Sequence, residues 1–321
     1  MTDLTQPTEI IDIAVIGGGP AGLAAGLYGA RGMVKTVVFE RGLPGGQIVT
    51  THWVENYPAF PEGIGGPELG QLFASQAEGQ GAEVRPFVDI ERIERREGDG
   101  GEPLFALTDA DEETHLARTV IIATGAVPRK LGIDGEAEYT GRGISWCATC
   151  DAGFYRDKVV AVIGGGDSAV EEALYLTKFA SKVYIVHRRD ELRATKVIQD
   201  RARANDKVEF VLSRIPVRVE GDGVKVTSLV LDSTKGEEQI TLAVDGIFEY
   251  VGVDPLSQLA VGLTDTAEGA YIATSEDGST NVPGLFSAGD VTTSSLKQVV
   301  TAAGKGATAA FAALHYLEGA H

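Results

Sequence analysis

The sequence has little cysteine and is short of positive charge, and each shortage excludes a class of site or partner. The two cysteines could supply two ligands of a four-ligand zinc site, but the five histidines are scattered and no second ligand pair is evident, so we expect no metal. Lys and Arg number 28 against 46 Asp and Glu, and the net charge of −18 would repel a phosphate backbone or an anionic membrane surface. We therefore expect neither a nucleic-acid partner nor a membrane partner.

Long hydrophobic runs are also missing. None approaches the roughly 18 residues that a bilayer-spanning helix needs. The first apolar run, residues 10–16, includes Asp12 and ends at a triple glycine, and no basic region precedes it. This pattern indicates a buried strand and not a signal peptide, so we expect a cytoplasmic protein.

Glycine is abundant by contrast, with 41 residues, and it marks two copies of one pattern. In each copy an apolar run leads into spaced small residues, and an Ala- and Leu-rich stretch follows. These small residues are Gly17, Gly19 and Gly22 in the first copy, and Gly164, Gly166 and Ala169 in the second. In a strand–turn–helix unit they allow a tight turn, a close approach of a pyrophosphate, and close packing of helix on strand. The duplication predicts an α/β protein with two Rossmann-like nucleotide-binding domains and parallel sheets.

Residues of opposite charge occupy equivalent places in the two copies. Glu40 and His187 each lie 23 residues after the first glycine of their copy, and Arg188 and Arg189 follow His187. A carboxylate there accepts hydrogen bonds from ribose hydroxyls and repels a 2′-phosphate, whereas a basic cluster attracts that phosphate. The first site is therefore expected to take FAD or NAD and the second NADPH, with Arg193 close enough to join the cluster.

Apolar runs and helix formers predict the other elements. Strands are expected at residues 119–123, 208–212, 224–231, 246–251 and 285–287. Helices are expected at residues 67–78, 191–204 and 296–317, the last with Gly304 and Gly306 as weak points.

The second copy is predicted to be inserted into the first. An FAD-binding domain would then comprise residues 1–124 and 247–321, and an NADPH-binding domain residues 125–246. Because only two chain crossings would join them, the inserted domain could rotate as a body.

Both cysteines lie just before the second glycine pattern. Cys147 and Cys150 form a C-x-x-C pair, whose small ring can open and close without refolding and whose thiolates can exchange with other disulfides. Asp151 adjoins the second sulfur and is a candidate to give a proton to a leaving thiolate. In a reducing compartment such a pair indicates redox chemistry or half of a metal site.

Taken together, these motifs resemble the low-molecular-weight thioredoxin reductases, a class of pyridine nucleotide-disulfide oxidoreductases. The resemblance runs from about residue 13 to residue 317. It rests on the glycine patterns and on residues 147–151, 187–193, 44–47, 55–58 and 284–290. It implies a homodimeric flavoenzyme that passes electrons from NADPH through FAD to the cysteine pair, and from there to thioredoxin.

The resemblance also assigns roles to residues. It implies that Cys150 faces the flavin, that Cys147 attacks thioredoxin, and that Asp151 is the acid-base residue. The implied FAD contacts are Gly17, Gly19, Gly22, Glu40, Gly46, Gln47, Asn56 and Asp290. Gln298 is a further implied cofactor contact, to FAD or to NADPH. The implied NADPH contacts are Gly164, Gly166, Ser168, Ala169, His187, Arg188, Arg189 and Arg193.

The chain departs from the family pattern in three places. Ala152 follows Asp151 where the family usually has glycine, which would shift the turn and the aim of Asp151. Lys297 replaces the usual arginine, so a point charge stands where a planar guanidinium would. Residues 254–256 replace a more usual Pro-Asn pair, and their loop is not predicted.

Three other functions stay open at this point. A ferredoxin- or flavodoxin-NADP reductase of similar fold would not need the cysteine pair. A two-flavin disulfide oxidoreductase would hold FAD in the second site, but the basic cluster there favours NADPH. A nucleotide-binding redox sensor would become reduced without turnover.

Overall fold

The computed structural model describes residues 10–51, 53–98, 101–293 and 296–319, and it divides into two compact units. Unit 1 comprises residues 1–127 and 254–321, and unit 2 comprises residues 128–253. The second crossing lies seven residues beyond the predicted boundary at 246/247, because residues 246–249 form a strand inside a sheet of unit 2. The first crossing lies three residues beyond the predicted one.

The strands and helices have the following bounds. The strands are β1 Ile11–Ile16, β2 Thr36–Glu40, β3 Glu83–Pro86, β4 Ile90–Glu97, β5 Pro103–Asp109, β6 Thr114–Ile122, β7 Ala126–Pro128, β8 Ile144–Ser145, β9 Val159–Ile163, β10 Lys182–His187, β11 Val208–Leu212, β12 Arg214–Gly221, β13 Val226–Ser233, β14 Ile240–Ala243, β15 Gly246–Glu249, β16 Val253–Pro255 and β17 Leu285–Ser287. The helices are α1 Pro20–Arg31, α2 Gly66–Gly79, α3 Glu136–Tyr139, α4 Ala148–Asp151, α5 Asp167–Leu176, α6 Lys196–Arg203 and α7 Val299–Leu317. Short 3₁₀ turns cover Gly46–Thr50, Ala152–Tyr155, Gln258–Ala260, Glu268–Ala270 and Gly289–Val291.

Unit 1 is built on a sheet in the order β3-β2-β1-β6-β5-β4, with β17 also paired to β6. The pairs β1–β2, β1–β6 and β6–β17 are parallel, and β4, β5 and β6 pair antiparallel. Residues on both faces of β1 are fully buried, as expected for a central parallel strand covered on both sides. The sheet therefore presents the carboxyl ends of β1 and β2 at one edge, where α1 begins.

Unit 2 repeats the parallel arrangement. Its main sheet has the order β11-β10-β9-β15-β8, and all of these pairs are parallel. A second, antiparallel sheet is formed by β12, β13 and β14. The expected α/β class with two Rossmann-like units is confirmed.

The helix predicted at residues 191–204 begins later than expected, at Lys196. The preceding segment is held against the second glycine pattern instead. The N–H groups of Arg193 and Ala194 donate to the carbonyl of Gly165, at 2.7 and 3.0 Å. The N–H of Thr195 donates to Asp167 Oδ1 at 2.6 Å. These bonds use backbone groups that a longer helix would need, so the segment stays irregular and close to the turn.

The long C-terminal helix α7 packs against α1, and Gly306 lies at their contact. A Cβ atom on Gly306 would overlap the carbonyl oxygen of Ala21, whereas one on Gly304 would meet nothing within 4 Å. Gly306 is therefore a close-packing position and not only a weak point of the helix, which corrects the prediction for that residue.

Within the described ranges, no helix combines the length and the apolar character that crossing a membrane requires.

Candidate functional site

The first glycine pattern forms the turn between β1 and α1. Gly17 has φ +105°, which favours glycine, and its N–H donates to the carbonyl of Phe39 on β2 at 2.8 Å. A Cβ on Gly22 would overlap the carbonyl oxygen of Gly17, so only glycine allows α1 to begin this close to the strand. No side chain caps the start of α1 at Gly19. Its first-turn N–H groups can therefore bind an anion such as a pyrophosphate.

Glu40 is oriented at the end of β2 by two backbone groups. Its carboxylate accepts hydrogen bonds from the N–H of Gly18 at 2.6 Å and from the N–H of Gly42 at 2.9 Å. A cavity of about 430 Å³ adjoins it, with Gly17, Arg41 and Asp89 among the lining residues. An acceptor fixed beside a cavity of this size, next to the anion-binding turn, fits the ribose of a dinucleotide.

The other predicted FAD residues lie on three segments of unit 1. Gly46 and Gln47 begin the 3₁₀ turn after β2, and a Cβ on Gly46 would lie 2.8 Å from the Cα of Gly19. Asn56 Nδ2 donates to Gln298 Oε1 at 2.9 Å, so two predicted contacts that are 242 positions apart in sequence meet. The structure thus brings Gly46 to the glycine turn and pairs Asn56 with Gln298.

Asp290 lies in the 3₁₀ turn before α7, and burial raises the pKa of its carboxyl group. The nearby charges of Lys297 and Lys305 oppose this shift. Lys297 Nζ donates to the backbone carbonyl of Asp290 at 3.1 Å and lies 4.4 Å from the ring centroid of Tyr271. The lysine that replaces the family's arginine is therefore held inside unit 1 beside a predicted cofactor residue.

The second glycine pattern repeats the geometry of the first. The N–H of Gly164 donates to the carbonyl of Val186 on β10 at 3.0 Å, as Gly17 does to β2. The buried Ala169 takes the third position, and Ser168 lies exposed in the first turn of α5. A Cβ on Gly166 would meet nothing within 4 Å, so the chain leaves space in front of this turn.

His187 occupies in unit 2 the place that Glu40 has in unit 1. A Cβ on Gly165 would overlap the His187 ring, just as one on Gly18 would overlap the Glu40 side chain. Burial, followed by the charges of Arg193, Arg188 and Arg189, lowers the pKa of His187. Its Nε2 atom is buried and has no hydrogen-bond partner within the described part of the chain.

The three arginines around His187 are exposed. Arg188 and Arg189 follow β10, and Arg193 is drawn in by its hydrogen bond to the carbonyl of Gly165. Guanidinium groups in this arrangement, beside an anion-binding helix start, have the chemistry to bind a ribose 2′-phosphate.

The two cysteines of unit 2 form a disulfide, with their Cα atoms 5.3 Å apart. Cys147 precedes the short helix α4, and Cys150 lies within it. The carbonyl of Cys147 accepts the N–H groups of Cys150 and Asp151, at 3.2 and 3.1 Å. The bond therefore spans one helical turn, and its opening leaves the backbone hydrogen bonds of the turn in place.

Asp151 is held by a residue that the sequence did not single out. The hydroxyl of Ser145 donates to Asp151 Oδ2 at 2.6 Å and accepts the N–H of Cys147 at 3.1 Å. Ser145 is buried, and its hydroxyl group links the N–H of Cys147 to the carboxylate of Asp151 through these two hydrogen bonds. A serine two residues before a C-x-x-C pair carries no motif, so a single sequence offers no signal for it.

Alanine after Asp151 fits the turn without backbone strain. Ala152 has φ −56° and ψ −31°, a right-handed conformation that is open to any residue, and its side chain is buried. This position therefore does not require the glycine that the family usually has. Residues 254–256, the other unpredicted segment, contribute to β16, which pairs with β7.

A group of possible metal ligands lies at a separate place in unit 1. Asp109, Glu113 and His115 bring one ligand atom each within 4.8 Å of one another. Both oxygens of Asp109 already have partners, however. Oδ1 accepts the N–H groups of Asp111 and Glu113, and Oδ2 lies 2.9 Å from His115 Nε2. These contacts stabilise the turn between β5 and β6.

Comparison with known proteins decides the family of this arrangement. The family model described as pyridine nucleotide-disulphide oxidoreductase matches residues 11–306. The thioredoxin reductase of Listeria innocua is 48% identical over 98% of this chain and 96% of its own length. The chain belongs to the thioredoxin reductases of this family.

Further relatives agree with this membership. The thioredoxin reductase of Bacillus subtilis is 44% identical over 97% of this chain and 96% of its own length. The crystal structure of thioredoxin reductase from Streptococcus pyogenes superposes with a TM-score of 0.90 at 42% identity, and it covers 98% of this chain and 100% of that one. Membership among the thioredoxin reductases confirms the predicted family, its flavoprotein oxidoreductase class, and FAD and NADPH as its cofactors.

Proposed function

We propose that this thioredoxin reductase reduces the disulfide of thioredoxin with electrons from NADPH, and that the reaction uses FAD in unit 1 and the Cys147–Cys150 pair in unit 2. One observation supports this most strongly. A disulfide, a buried glycine turn and an arginine cluster share unit 2, while the matched turn in unit 1 carries a carboxylate. The opposite charges favour FAD at the turn of unit 1 and NADPH at the turn of unit 2. The disulfide can accept the electrons that these cofactors supply.

The residues of unit 1 fit FAD. The first turn of α1, entered at Gly19, would bind the pyrophosphate, and Glu40 would accept hydrogen bonds from the ribose. Gly46, Gln47, Asn56, Gln298 and Asp290 would contact the rest of the cofactor. When bound, FAD would accept two electrons from NADPH and supply them to a disulfide.

The residues of unit 2 fit NADPH. The start of α5, with Gly164, Gly166, Ser168 and Ala169, would bind its pyrophosphate. Arg188, Arg189 and Arg193 would bind the 2′-phosphate, and the His187 ring packs against the Gly165 turn beside them. Burial and the neighbouring guanidinium charges lower the pKa of His187, which favours the neutral imidazole and leaves the positive charge to the arginines.

The sulfur chemistry then follows from the two cysteines. After two-electron reduction, the thiolate of Cys147 attacks the disulfide of thioredoxin, forms a mixed disulfide and releases one substrate thiolate. Cys150 next attacks the sulfur of Cys147, which restores the Cys147–Cys150 bond and releases the second substrate thiolate. Asp151, held by Ser145, would supply a proton to a leaving thiolate.

Rotation of unit 2 between the half-reactions belongs to the same proposal. The NADPH residues and the disulfide lie on one unit, and both must exchange electrons with a flavin held by the other. Two chain crossings, in β7 and β16, join the units, and such a pair of connections can act as a hinge.

A homodimer and a cytoplasmic location complete the proposal. Both rest on likeness to the family and on the composition of the sequence. Sedimentation of the FAD-loaded protein tests the first, and a monomer at micromolar concentration would contradict it.

The experiment that tests the function is steady-state oxidation of NADPH by the FAD-loaded enzyme, with and without oxidised thioredoxin. We expect oxidation that depends on thioredoxin, and its loss in Cys147→Ser and in Cys150→Ser, with FAD still bound. A wild-type enzyme whose flavin is reduced by NADPH but which does not turn over with any thioredoxin would instead be a redox sensor.

A further inference from the structure

The carboxyl end of β15 holds the polypeptide on both sides of Cys147. Trp146 Nε1–H donates to Glu249 Oε2 at 3.0 Å. On the other side, the N–H of Ala148 donates to the hydroxyl oxygen of Tyr250 at 2.7 Å. Adjacent residues at the end of one strand thus fix the residues immediately before and after the first cysteine.

Glu249 is an unusual residue for this place. It follows Ile247 and Phe248, which are fully buried, and it is itself only 2% exposed. The adjoining N–H of Tyr250 donates to the carbonyl of Ile163, the last residue before the second glycine turn. Burying a carboxyl group costs free energy unless it is hydrogen-bonded, paired or uncharged.

A second carboxyl group, that of Glu136 on α3, interacts with Glu249. Glu136 is 3% exposed, and its two oxygens accept the N–H groups of Leu131, Gly132 and Ile133. Glu249 receives one N–H, that of Trp146, and its buried Oε1 has no donor among the described residues. N–H donors stabilise the charged form of a carboxyl group, and Glu136 has three of them whereas Glu249 has one. A proton between the two groups therefore resides on Glu249.

The surroundings agree with this assignment. Burial, and then the charge of Glu136 and the hydrogen bond with it, raise the pKa of Glu249 to about 8. The bond from Trp146 and the charge of Lys130 act in the opposite direction and are smaller. At neutral pH Glu249 is therefore protonated, and Trp146 donates to a neutral carboxyl group.

We propose that Glu249 is a positioning residue of this enzyme: its protonated carboxyl group, bridged to Glu136, fixes Trp146 and so the backbone of Cys147. The inference rests on the proposed function only in taking Cys147 as the sulfur that attacks the protein substrate. Loss of the proton at alkaline pH places two buried negative charges side by side. The contact with Trp146 then breaks, and the cysteine segment loses one of its two hydrogen bonds to residues at the carboxyl end of β15.

Fluorescence of Trp146 tests the contact directly. The chain has two tryptophans, so a Trp53→Phe background leaves Trp146 as the sole reporter. In that background we expect a fluorescence transition with a midpoint near pH 8, the pKa of Glu249. Glu249→Gln keeps an acceptor for Trp146 and a donor for Glu136, and it should abolish the transition. Glu209→Gln, at an exposed position of the same sheet, should leave the transition unchanged.

Kinetics test the consequence for Cys147. Glu249→Leu should lower kcat/KM for thioredoxin roughly five- to tenfold, the loss expected for one hydrogen bond. In the parent, kcat/KM for thioredoxin should decline above about pH 8, where Glu249 loses its proton. Glu249→Gln should keep the neutral-pH rate and not show this decline. NADPH-dependent reduction of the flavin should be equal in all variants.

Two results would overturn the proposal. One is a fluorescence transition that persists in Glu249→Gln, and the other is a kcat/KM for thioredoxin in Glu249→Leu equal to that of the parent. If Glu249→Leu does not fold, the glutamine variant still decides. A parent enzyme without thioredoxin turnover would contradict the proposed function, whereas the fluorescence titration would still report on the contact.

Discussion

At the scale of single residues, one position in each unit distinguishes the two nucleotide turns. Glu40 and His187 end equivalent strands and contact the second residue of equivalent glycine turns. Their chemistry differs because one provides a fixed acceptor and the other stands in a group of guanidinium ions. The offset of 23 residues made this pairing predictable from the sequence. Ser145 and the Trp146–Glu249 contact were not predictable, because their partners meet only in the folded chain.

Removal of the arginine cluster should change the choice of nucleotide. In Arg188→Ala/Arg189→Ala, we expect the KM for NADPH to rise roughly 10- to 100-fold, as for loss of charge-assisted hydrogen bonds, and the KM for NADH to change little. Steady-state oxidation of the two nucleotides measures both values. Arg201→Ala, an exposed arginine on α6, is the control and should behave as wild type. Equal losses with NADPH and NADH would show that the cluster does not bind the 2′-phosphate.

At the scale of elements, the glycine turns and the strands beside them followed from the sequence, and the antiparallel part of unit 1 did not. Strand β4 carries its buried residues, Ile90 and Ile93, three positions apart among charged neighbours. That spacing lacks the alternation of a half-buried strand, and it is pairing with β5 that keeps the segment extended. The start of α6 was missed for a similar reason, since contacts with the Gly165 turn oppose helix formation before Lys196.

Two glycines of α7 should respond in opposite ways to one added methyl group. Gly306→Ala forces a Cβ onto the carbonyl of Ala21 and should destabilise unit 1 by about 1–3 kcal/mol. Gly304→Ala meets nothing within 4 Å and should stabilise the helix by about 0.5–1 kcal/mol. Thermal unfolding of the two variants measures the difference. Equal midpoints would contradict the close approach of α7 to α1.

At the scale of the whole molecule, the insertion of unit 2 into unit 1 determines how electrons can travel. The duplication predicted two nucleotide units, but the exact crossings required the structure. The apolar residues 246–249 could form a buried strand in either unit, and only the fold shows that they belong to unit 2. Since the residues proposed to bind NADPH and the disulfide lie on one unit, the two could not approach the same face of a flavin held by the other unit at the same time.

A covalent link between the units should therefore stop turnover. We expect that an engineered disulfide joining unit 1 to unit 2 will reduce thioredoxin-dependent NADPH oxidation at least about tenfold, because the link would block the proposed rotation between the half-reactions. Reduction of the engineered link should restore the rate. Full activity in the linked enzyme would refute the rotation.

Anaerobic titration of the FAD-loaded enzyme with NADPH tests the central claim most directly. The wild-type enzyme should consume about two molar equivalents per subunit before its flavin absorbance is fully bleached, since flavin and disulfide each take two electrons. Cys147→Ser and Cys150→Ser should consume about one. A wild-type enzyme that bleaches after one equivalent, with its Cys147–Cys150 bond still intact, would contradict the passage of electrons from NADPH through FAD to this disulfide.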